Sequence, residues 1–438
     1  MAQHAVTSFA GLVDDENGDF RLHTDIYTDP AVFDAEMRLI FERTWVYLGH
    51  ESEIAAPGDY RTTTIGRQPV VFTRHEDGEV HVLLNRCRHR GAVVCRLDSG
   101  HSNFFRCPYH SWVYQNDGTL VGVAQASGYP EDFDKAGHGL LRAPRVATYR
   151  GLIFASLAPD GPTLEEHLGP VRPYVDWWFD RSPTGTITMI SPPHKYPYDA
   201  NWKWQAENGA DGYHGNYVHA SWQKLLERAG EAPVKDIKRY REGGCTRGFP
   251  YGHGLLERPG GLNPAASWTG RMMAKYPDYA EALRGRFSDD DIDEISARRN
   301  IFIFPNAYLF DTHIRSIRPV AVDRTEVSLR VYALDGVPEA LNEGRYRAHE
   351  RFYGPSGFGS PDDIEIFLSC QTGLKADGID WILMSRGLHR EEAVDGELVG
   401  HSTDETPTRS IYREWKRLMQ NGAGPARSAA LTAGVSHG

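Results

Sequence analysis

The chain has 438 residues, a length that predicts two or three domains. Its net charge of -11 argues against a broad surface that binds nucleic acid. We find no apolar stretch of membrane-spanning length and no secretory signal at the N-terminus, and we therefore predict no membrane association and a cytoplasmic location. The five cysteines are odd in number and sparse, which argues against a disulfide framework.

The pattern along the chain predicts four regions and an α+β fold. Residues 1–40 are predicted to form an N-terminal helical segment that packs on the larger domain, with a helix predicted over 31–47. Residues 41–160 contain short β-branched runs separated by turns, which predicts a small all-β domain. Residues 161–420 predict a larger domain in which helices surround a sheet. Residues 421–438 are rich in glycine, alanine and serine and predict a flexible tail.

Within the larger domain, the sequence pattern predicts both helices and strands. We predict helices over 164–180, 201–219, 361–376 and 409–419, a capped acidic helix start at 287–299, and strands over 184–198, 300–310, 312–322 and 325–334.

The smaller domain pairs a cysteine with a histidine twice. The segment CRH at 87–89 is followed, after 17 residues, by CPYH at 107–110. Two such loops can clamp a two-iron cluster, with both thiolates on one iron and both imidazoles on the other. Because imidazole is neutral where thiolate is anionic, this ligand set raises the reduction potential. We predict a Rieske-type [2Fe-2S] cluster, a one-electron carrier, held by Cys87, His89, Cys107 and His110.

A tetrahedral zinc site is the chemical competitor for this ligand set. The spacings differ from the common zinc-finger patterns, and both loops lie among predicted strands instead of preceding a helix. Both features favour the iron–sulfur cluster. We interpret Cys95, which lies between the two loops, as a buried structural thiol. Gly91, Pro108 and Gly118 are predicted turn formers.

A second set of metal-binding residue types lies in the segment ENGADGYHGNYVH at 207–219. Asp211 and His214 are three residues apart and would share one face of a helix. His214 and His219 are five apart, so both can bind one metal only if the helix bulges or ends there. Two histidines and one carboxylate form the facial triad of non-haem Fe(II) oxygenases, with positions left open for O₂.

The carboxylate of this triad must come from elsewhere in the chain, and the acidic pair Asp362-Asp363 is the best candidate. Taken alone, two histidines five residues apart are more often ordinary polar residues. An aspartate pair at a helix start is more often a cap that interacts with the helix dipole. The predicted electron carrier changes this balance, because an electron donor implies an acceptor.

Together these segments resemble the large (alpha) subunit of Rieske non-haem iron ring-hydroxylating oxygenases, from the N-terminal helix to about residue 420. The segments NWKWQAENGADGYHGNYVH and GPSGFGSPDDIEIFLSCQTGL are most similar to the benzoate and anthranilate dioxygenase type. The resemblance implies a Rieske domain followed by a catalytic domain of the helix-grip, or START-like, fold, with an antiparallel sheet surrounded by helices.

Residue by residue, the resemblance assigns His214 and His219 as iron-binding histidines. It assigns Asp363 as the iron-binding aspartate, with Asp362 as the fallback. Asp211 matches the aspartate that, in this family, connects a cluster histidine of a neighbouring subunit to an iron ligand. The route of the electron would therefore run from His110 of one chain through Asp211 of the next.

Two departures from naphthalene-type members are visible. Those members have one more residue between the asparagine of the Glu-Asn pair and the bridging aspartate, whereas Asn208 is only three before Asp211. No pocket role is therefore carried over to Asn208 or Gly209. Gly359 stands where those enzymes have a tryptophan, which indicates a differently shaped pocket.

The resemblance implies the terminal oxygenase component of a multicomponent dioxygenase for an aromatic substrate and O₂. Its cofactors would be the [2Fe-2S] cluster and mononuclear Fe(II), with NADH supplying electrons indirectly through a reductase, with or without a ferredoxin. Its expected product is a cis-dihydrodiol. The assembly would be a trimer with heterologous contacts, or an α₃β₃ hexamer with a small β subunit.

Two other functions stay open at this point. A Rieske monooxygenase or demethylase uses the same sites. A pure Rieske electron carrier needs only a domain of about 100–150 residues, a typical domain size, which leaves the second metal set unexplained. The benzoate-like motifs raise an aromatic acid as the substrate, and such an acid would need a cationic anchor. Arg315 and Arg318 flank a predicted strand, but arginines at strand ends are more often structural salt-bridge partners.

Overall fold

The computed structural model describes residues 9–16, 18–190, 192–230, 243–264 and 267–420. The chain divides into two compact units. The smaller comprises Phe41–Leu164, and the larger combines the N-terminal residues as far as Ile40 with those from Glu165 onward. The predicted flexible tail at 421–438 lies outside the described residues. None of the helices described is long and apolar enough to cross a membrane.

The smaller unit is built from antiparallel strands. Its central strand, Gln68–Arg74, buries the apolar run Val70–Phe72 completely, as expected for a β-branched and aromatic run. In spatial order, one sheet contains Val80–Leu84, Gln68–Arg74, Asp59–Ile65 and Ser99–His101; a second contains Arg145–Tyr149, Leu152–Ser156 and Val46–His50; a third contains Leu120–Gly122, Val113–Gln115 and Phe104–Arg106. Short 3₁₀ turns occupy Glu51–Ile54, Ala126–Gly128 and Ala136–His138.

The larger unit contains a ten-stranded antiparallel sheet. In spatial order its strands are Ile187–Met189, Arg324–Leu334, His313–Ala321, Ala307–Leu309, Arg298–Ile303, Gly254–Arg258, Cys245–Gly248, Glu397–His401 and Glu392–Val394; His194–Tyr198 pairs with Arg324–Leu334 as well. A smaller sheet joins Val13–Asp14, Arg21–His23 and Trp381–Leu383, so the N-terminal residues belong to this unit.

Helices surround this sheet. They are Asp25–Thr28, Pro30–Glu36 with a π-helical turn at Met37–Phe41, Leu164–Leu168, Arg172–Phe179, Trp202–Asn208, Gly215–Val218, Ala220–Arg228, Trp268–Lys275, Pro277–Arg284, Asp289–Ser296, Glu339–Tyr353, Gly359–Gly373 and Thr406–Met419. Short 3₁₀ turns occupy Phe9–Leu12, Gly169–Val171, Pro250–Gly252 and Leu388–Arg390. Trp202–Asn208 packs on strand His313–Ala321, and Gly359–Gly373 packs on Trp202–Asn208. This layering supports the second metal-binding set.

The predicted α+β class is confirmed. The acidic helix begins as predicted, with Ser288 and Asp291 forming a reciprocal capping box. The helix predicted over 31–47 is wrong at its end, because helical structure stops at Phe41 and Val46–His50 is a buried strand. This strand consists of buried residues throughout, so tertiary pairing overrides the helical spacing of its apolar residues.

A buried ion pair ties the N-terminal helix to the core of the larger unit. The Lys203 ammonium donates to Glu36 at 2.6 Å, and both side chains are completely buried. The indole N–H groups of Trp202 and Trp415 donate to the same carboxylate at 2.8 and 2.7 Å. Burial lowers the pKa of Lys203, and Glu36 opposes this shift. The carboxylate is thus satisfied by three donors in a site without water access.

Replacing Glu36 by glutamine should destabilise the larger unit by about 3–5 kcal/mol, because it leaves the Lys203 charge buried and unpaired. The free energy of unfolding, measured by urea denaturation, tests this expectation. The double variant Glu36→Leu/Lys203→Met removes both charges and should recover most of the loss. Equal instability of the single and double variants would contradict the assignment of the cost to an unpaired charge.

Candidate functional site

The two Cys–His loops of the smaller unit share one backbone pattern. In each loop the cysteine N–H donates to the main-chain oxygen five residues later, at 2.8 Å for both Cys87 and Cys107. The cysteine oxygen accepts from the N–H four residues later, at 3.0 and 3.1 Å. The donors of those bonds, Gly91 and Ser111, have φ angles of 75° and 55°. A serine in this region carries strain, which is typical of functional loops.

The predicted cluster ligands meet between these loops. Both cysteines are buried, while His89 and His110 are partly exposed, with ring centroids 4.6 Å apart. The Nδ1 atoms of both histidines are buried and have no hydrogen-bond partner. Buried ring nitrogens without partners are rare and unfavourable, and coordination to a metal would satisfy both. The donor set therefore fits a cluster with two thiolate and two imidazole ligands.

The geometry also bears on the zinc alternative. Among the described residues, one group of three His, Cys, Asp or Glu side chains has its ligand atoms all within 4.8 Å of one another. The cysteines and histidines of the two loops do not belong to that group. Four ligands of one tetrahedral zinc would converge on a single point at bond lengths of about 2.0–2.3 Å. The wider arrangement fits two irons better.

Two aromatic residues that the sequence analysis did not single out complete this site. His89 stacks on Trp112, with centroids 5.2 Å apart and planes at 5°. The Tyr114 hydroxyl lies 3.2 Å from the Cys87 sulfur and accepts from the Arg88 N–H at 3.1 Å. The signal that could have found them is the alternation of large aromatic residues directly after the second loop.

The second set lies in the larger unit, where His214, His219 and Asp363 converge. Their ligand atoms lie within 4.8 Å of one another. The Asp363 oxygen is 3.7 Å from His214 Nε2 and 3.3 Å from His219 Nε2. Asp363 comes from helix Gly359–Gly373, 144 residues beyond His219 in the numbering. The sequence-predicted triad is therefore brought together with the geometry that one metal ion requires.

The chain is not helical at Asp211, contrary to our expectation for 201–219. Helix Trp202–Asn208 ends before it, and Gly215–Val218 is a separate short helix. The Asp211 carboxylate accepts from the main-chain N–H groups of Tyr213 and His214 at 2.5 and 3.4 Å, and this local bonding competes with helix formation. The helix does end at His219 (φ −93°, ψ 29°), which is the break that the five-residue spacing predicted.

Asp211 holds the His214 ring. Its Oδ2 lies 3.0 Å from His214 Nδ1. Burial acts to raise the pKa of Asp211, but the hydrogen bond and charge of His214 lower it overall. Burial acts to lower the pKa of His214, and Asp211 raises it overall. With a proton on Nδ1 facing Asp211, the lone pair of Nε2 points toward Asp363, which is the tautomer that a metal needs.

The two adjacent aspartates occupy different positions. Asp363 has a side-chain exposure of 9%, against 32% for Asp362. Asp362 accepts from Ser221 at 3.2 Å and lies 3.6 Å from His219 Nδ1, on the side of the ring away from Asp363. This geometry favours Asp363 as the ligand and gives Asp362 a position beside the other nitrogen of His219.

The departures from the naphthalene type have structural counterparts. Asn208, to which no role was carried over, contacts the set: its amide donates to Asp363 at 3.2 Å and lies 3.3 Å from His214 Nε2. A Cβ on Gly209 would come within 2.5 Å of the Tyr308 ring. A Cβ on Gly359 would come within 2.3 Å of the Phe352 ring, so Phe352 fills the space beside this glycine. The Phe352 ring centroid is 5.2 Å from His219.

A cavity of about 180 Å³ reaches the second set from outside. Asp211, His214 and Asp363 line it, together with three further acidic residues, Glu207, Asp404 and Glu405. Burial raises the pKa of Glu207 to about 7, against opposing hydrogen bonds from Tyr412 and Tyr27. Asp211 thus contacts the His214 ring and also lines this acidic cavity.

Comparison with known proteins decides the family. Residues 44–145 match the Rieske [2Fe-2S] domain, and residues 191–421 match the catalytic domain of ring-hydroxylating alpha subunits. The chain belongs to the Rieske ring-hydroxylating oxygenases, as an alpha subunit. The chain is 39% identical over 390 residues to the 2-halobenzoate 1,2-dioxygenase large subunit of Burkholderia cepacia, covering 85% of this chain and 81% of that protein.

Two further similarities support the same assignment. The alpha subunit is 32% identical over 437 residues to the anthranilate 1,2-dioxygenase large subunit of Acinetobacter baylyi, covering 93% and 91% of the two chains. It matches a solved structure of naphthalene 1,2-dioxygenase with indole in the active site with a TM-score of 0.81 at 28% identity, covering 94% and 93%. The predicted family, fold and enzyme class are confirmed, as are a Rieske cluster and a non-haem iron as its cofactors.

Replacing Tyr114 by phenylalanine should lower the reduction potential of the cluster by tens of millivolts, because hydrogen bonds to cluster sulfur ligands stabilise the reduced state. A redox titration followed by electron paramagnetic resonance measures the shift. Tyr109→Phe is the matched control, since its hydroxyl faces Arg90 at 3.5 Å and not a sulfur. An unchanged potential in Tyr114→Phe would contradict a role for this hydroxyl.

Asp363→Ala should remove the mononuclear iron and leave the cluster intact, whereas Asp362→Asn should retain both. Iron analysis together with the visible spectrum of the cluster distinguishes the two. Retention of the mononuclear iron in Asp363→Ala would show that another carboxylate is the ligand.

Proposed function

We propose that this alpha subunit inserts both atoms of O₂ into an aromatic ring to give a cis-dihydrodiol. One site would transfer the electrons, and the other would activate O₂. The observation that carries the proposal is the convergence of His214, His219 and Asp363 in a chain that also holds a Rieske ligand set. An electron carrier alone has no use for the second set. The 2-halobenzoate and anthranilate dioxygenases named above are named for aromatic acids, which supports an aromatic substrate for this chain.

In this proposal the smaller unit holds the [2Fe-2S] cluster through Cys87, His89, Cys107 and His110. The larger unit holds Fe(II) through His214, His219 and Asp363, and iron so bound supplies open positions at which O₂ is activated. The chain itself orients the ligands. Asp211 fixes the His214 ring, and the Asn208 amide holds the Asp363 carboxylate in place.

Asp211 is the proposed link between subunits. One carboxylate oxygen is bound to His214, and about a third of the side chain is exposed, at 34%. It therefore remains accessible to a ring N–H from another chain. We propose that His110 of a neighbouring subunit provides that group, in a trimer or an α₃β₃ hexamer with a small β subunit. Electrons originate from NADH through a reductase, with or without a ferredoxin. The cytoplasmic location stays a prediction.

The reaction is tested by incubating the holoenzyme with a matched reductase, NADH, a panel of aromatic compounds and ¹⁸O₂. The proposal predicts a dihydrodiol whose mass shows two heavy oxygen atoms from one O₂. A phenol or a demethylated product with a single heavy atom would identify a monooxygenase. Oxidation of NADH with no oxygenated product from any member of the panel would refute the proposed function.

Asp211→Asn should leave both metal sites filled and slow turnover by at least about a hundredfold. The neutral amide cannot stabilise the His214 ring as the carboxylate does, and it is a weaker acceptor for the ring N–H of His110 from a neighbouring subunit. Metal content and the cluster spectrum serve as the controls for folding. Wild-type turnover in this variant would contradict the bridging role.

A further inference from the structure

Arg315 is a deeply buried cation for which the described residues provide no counter-ion. It lies in strand His313–Ala321 and is 2% exposed. Other buried arginines of the larger unit are paired: Arg299 and Arg409 bind carboxylates, and Arg345 donates to main-chain oxygens. Among the described residues, no carboxylate forms an ion pair with Arg315, and its Nε has no hydrogen-bond partner.

The surroundings of Arg315 are aromatic. Its guanidinium carbon lies 4.6 Å from the centroid of the Phe310 ring and 5.5 Å from that of Tyr353. Ring faces stabilise a guanidinium and orient it, but they do not replace an anion. A guanidinium is always charged in proteins, so this site retains one uncompensated positive charge.

Two buried histidines next to Arg315 each have one ring nitrogen without a hydrogen-bond partner. The Thr312 hydroxyl contacts Nδ1 of both His313 and His349, at 3.3 and 3.2 Å. Their Nε2 atoms are buried and have no partner. Burial, together with neighbouring cationic groups that include Arg315, lowers the pKa of His313 well below its usual value and that of His349 to about 4. Both rings are therefore neutral and can share hydrogen bonds with a bound anion without adding charge.

A chain of aromatic contacts connects Arg315 to the second metal-binding set. In the sheet it is opposite Tyr308, whose hydroxyl donates to the main chain of helix Trp202–Asn208 at 2.5 Å. Tyr353 contacts both Arg315 and Phe352, and Phe352 contacts His219. Burial raises the pKa of Tyr353, and the charges of Arg315 and Asp363 act on it in opposite directions. One aromatic residue thus lies within the influence of both groups.

We infer that Arg315 is the specificity-determining residue that binds the carboxylate of an aromatic acid substrate, with its ring directed toward His214, His219 and Asp363. The inference rests on the proposed function, since it names a group that positions the substrate of that reaction. An unpaired buried cation is costly unless an anion completes it, and a planar guanidinium matches a carboxylate with two parallel hydrogen bonds.

Arg318 is the natural control. It lies three residues further along the same strand, so its side chain leaves from the opposite face. It is 40% exposed in its side chain and donates to Glu326 at 3.1 Å. Of the two arginines considered as anchors, Arg318 is a surface salt-bridge partner and Arg315 is the buried, unpaired one.

The test is calorimetric binding to the anaerobic holoenzyme, without turnover. The probes are benzoate, 2-chlorobenzoate and anthranilate, each compared with its carboxamide. The wild type and Arg318→Met should bind at least one acid about a hundredfold more tightly than its amide, and Arg315→Met should lose this preference. Arg315→Lys keeps the charge without the planar fork and should retain a preference of about tenfold. A preference that survives in Arg315→Met, or that is absent from the wild type, would overturn the inference.

Thermal unfolding without ligand separates a binding role from a structural one. Replacing an unpaired buried charge by an apolar side chain of similar length should leave the melting temperature of Arg315→Met equal to or above that of the wild type. A lowered melting temperature would show that the arginine stabilises the fold and would count against the inference. Acid binding without any oxygenated product would leave the anchor in place and refute the proposed function instead. Dihydrodiol formation without a preference for acids would support the proposed function and refute the role of Arg315 as an anchor.

Discussion

The hydrogen bond between Asp211 and His214 is the interaction on which the catalytic unit depends. The same carboxylate binds two main-chain N–H groups and thereby ends the helical path after Asn208. The short helix that follows ends at His219, and this second break lets His214 and His219 face one point although they are five residues apart. The bond also fixes the proton of His214 on Nδ1, which leaves Nε2 for a metal. One side chain therefore sets backbone direction, tautomer and ligand orientation, and it remains partly exposed at the acidic cavity through which a partner would approach.

In the smaller unit, main-chain hydrogen bonds orient the metal ligands. Two loops with the same pattern of main-chain hydrogen bonds present one thiolate and one imidazole each. The thiolates lie in the core, whereas the histidines lie toward the surface with bare Nδ1 atoms. This arrangement fits the proposal that the electron leaves the cluster through the imidazole side. The Tyr114 hydroxyl lies 3.2 Å from the Cys87 sulfur, and a hydrogen bond there would tune the reduction potential of the cluster.

Much of this account follows from residue types and spacing alone. The Cys–His pairs, the two histidines and the acidic pair were recognisable because metal chemistry permits few ligand sets. The helix predicted through Asp211 was wrong because a side chain competes there with the helical hydrogen bonds. The contact of Asn208 with Asp363 joins residues 155 positions apart. The isolation of Arg315 means that no carboxylate among the described residues pairs with it. Neither can be read from local sequence, since both depend on what the sheet and helices bring together.

The central claim is that both metal sites of this alpha subunit act in one oxygenation. A single-turnover experiment tests it most directly, because it needs no reductase. The holoenzyme is reduced chemically, freed of reductant and mixed with O₂ and an aromatic acid, and the product and the signal of the reduced cluster are followed together. The account predicts that oxygenated product forms while the cluster becomes oxidised, in proportion and only when substrate is present. Oxidation of the cluster without product, or product without oxidation of the cluster, would contradict it.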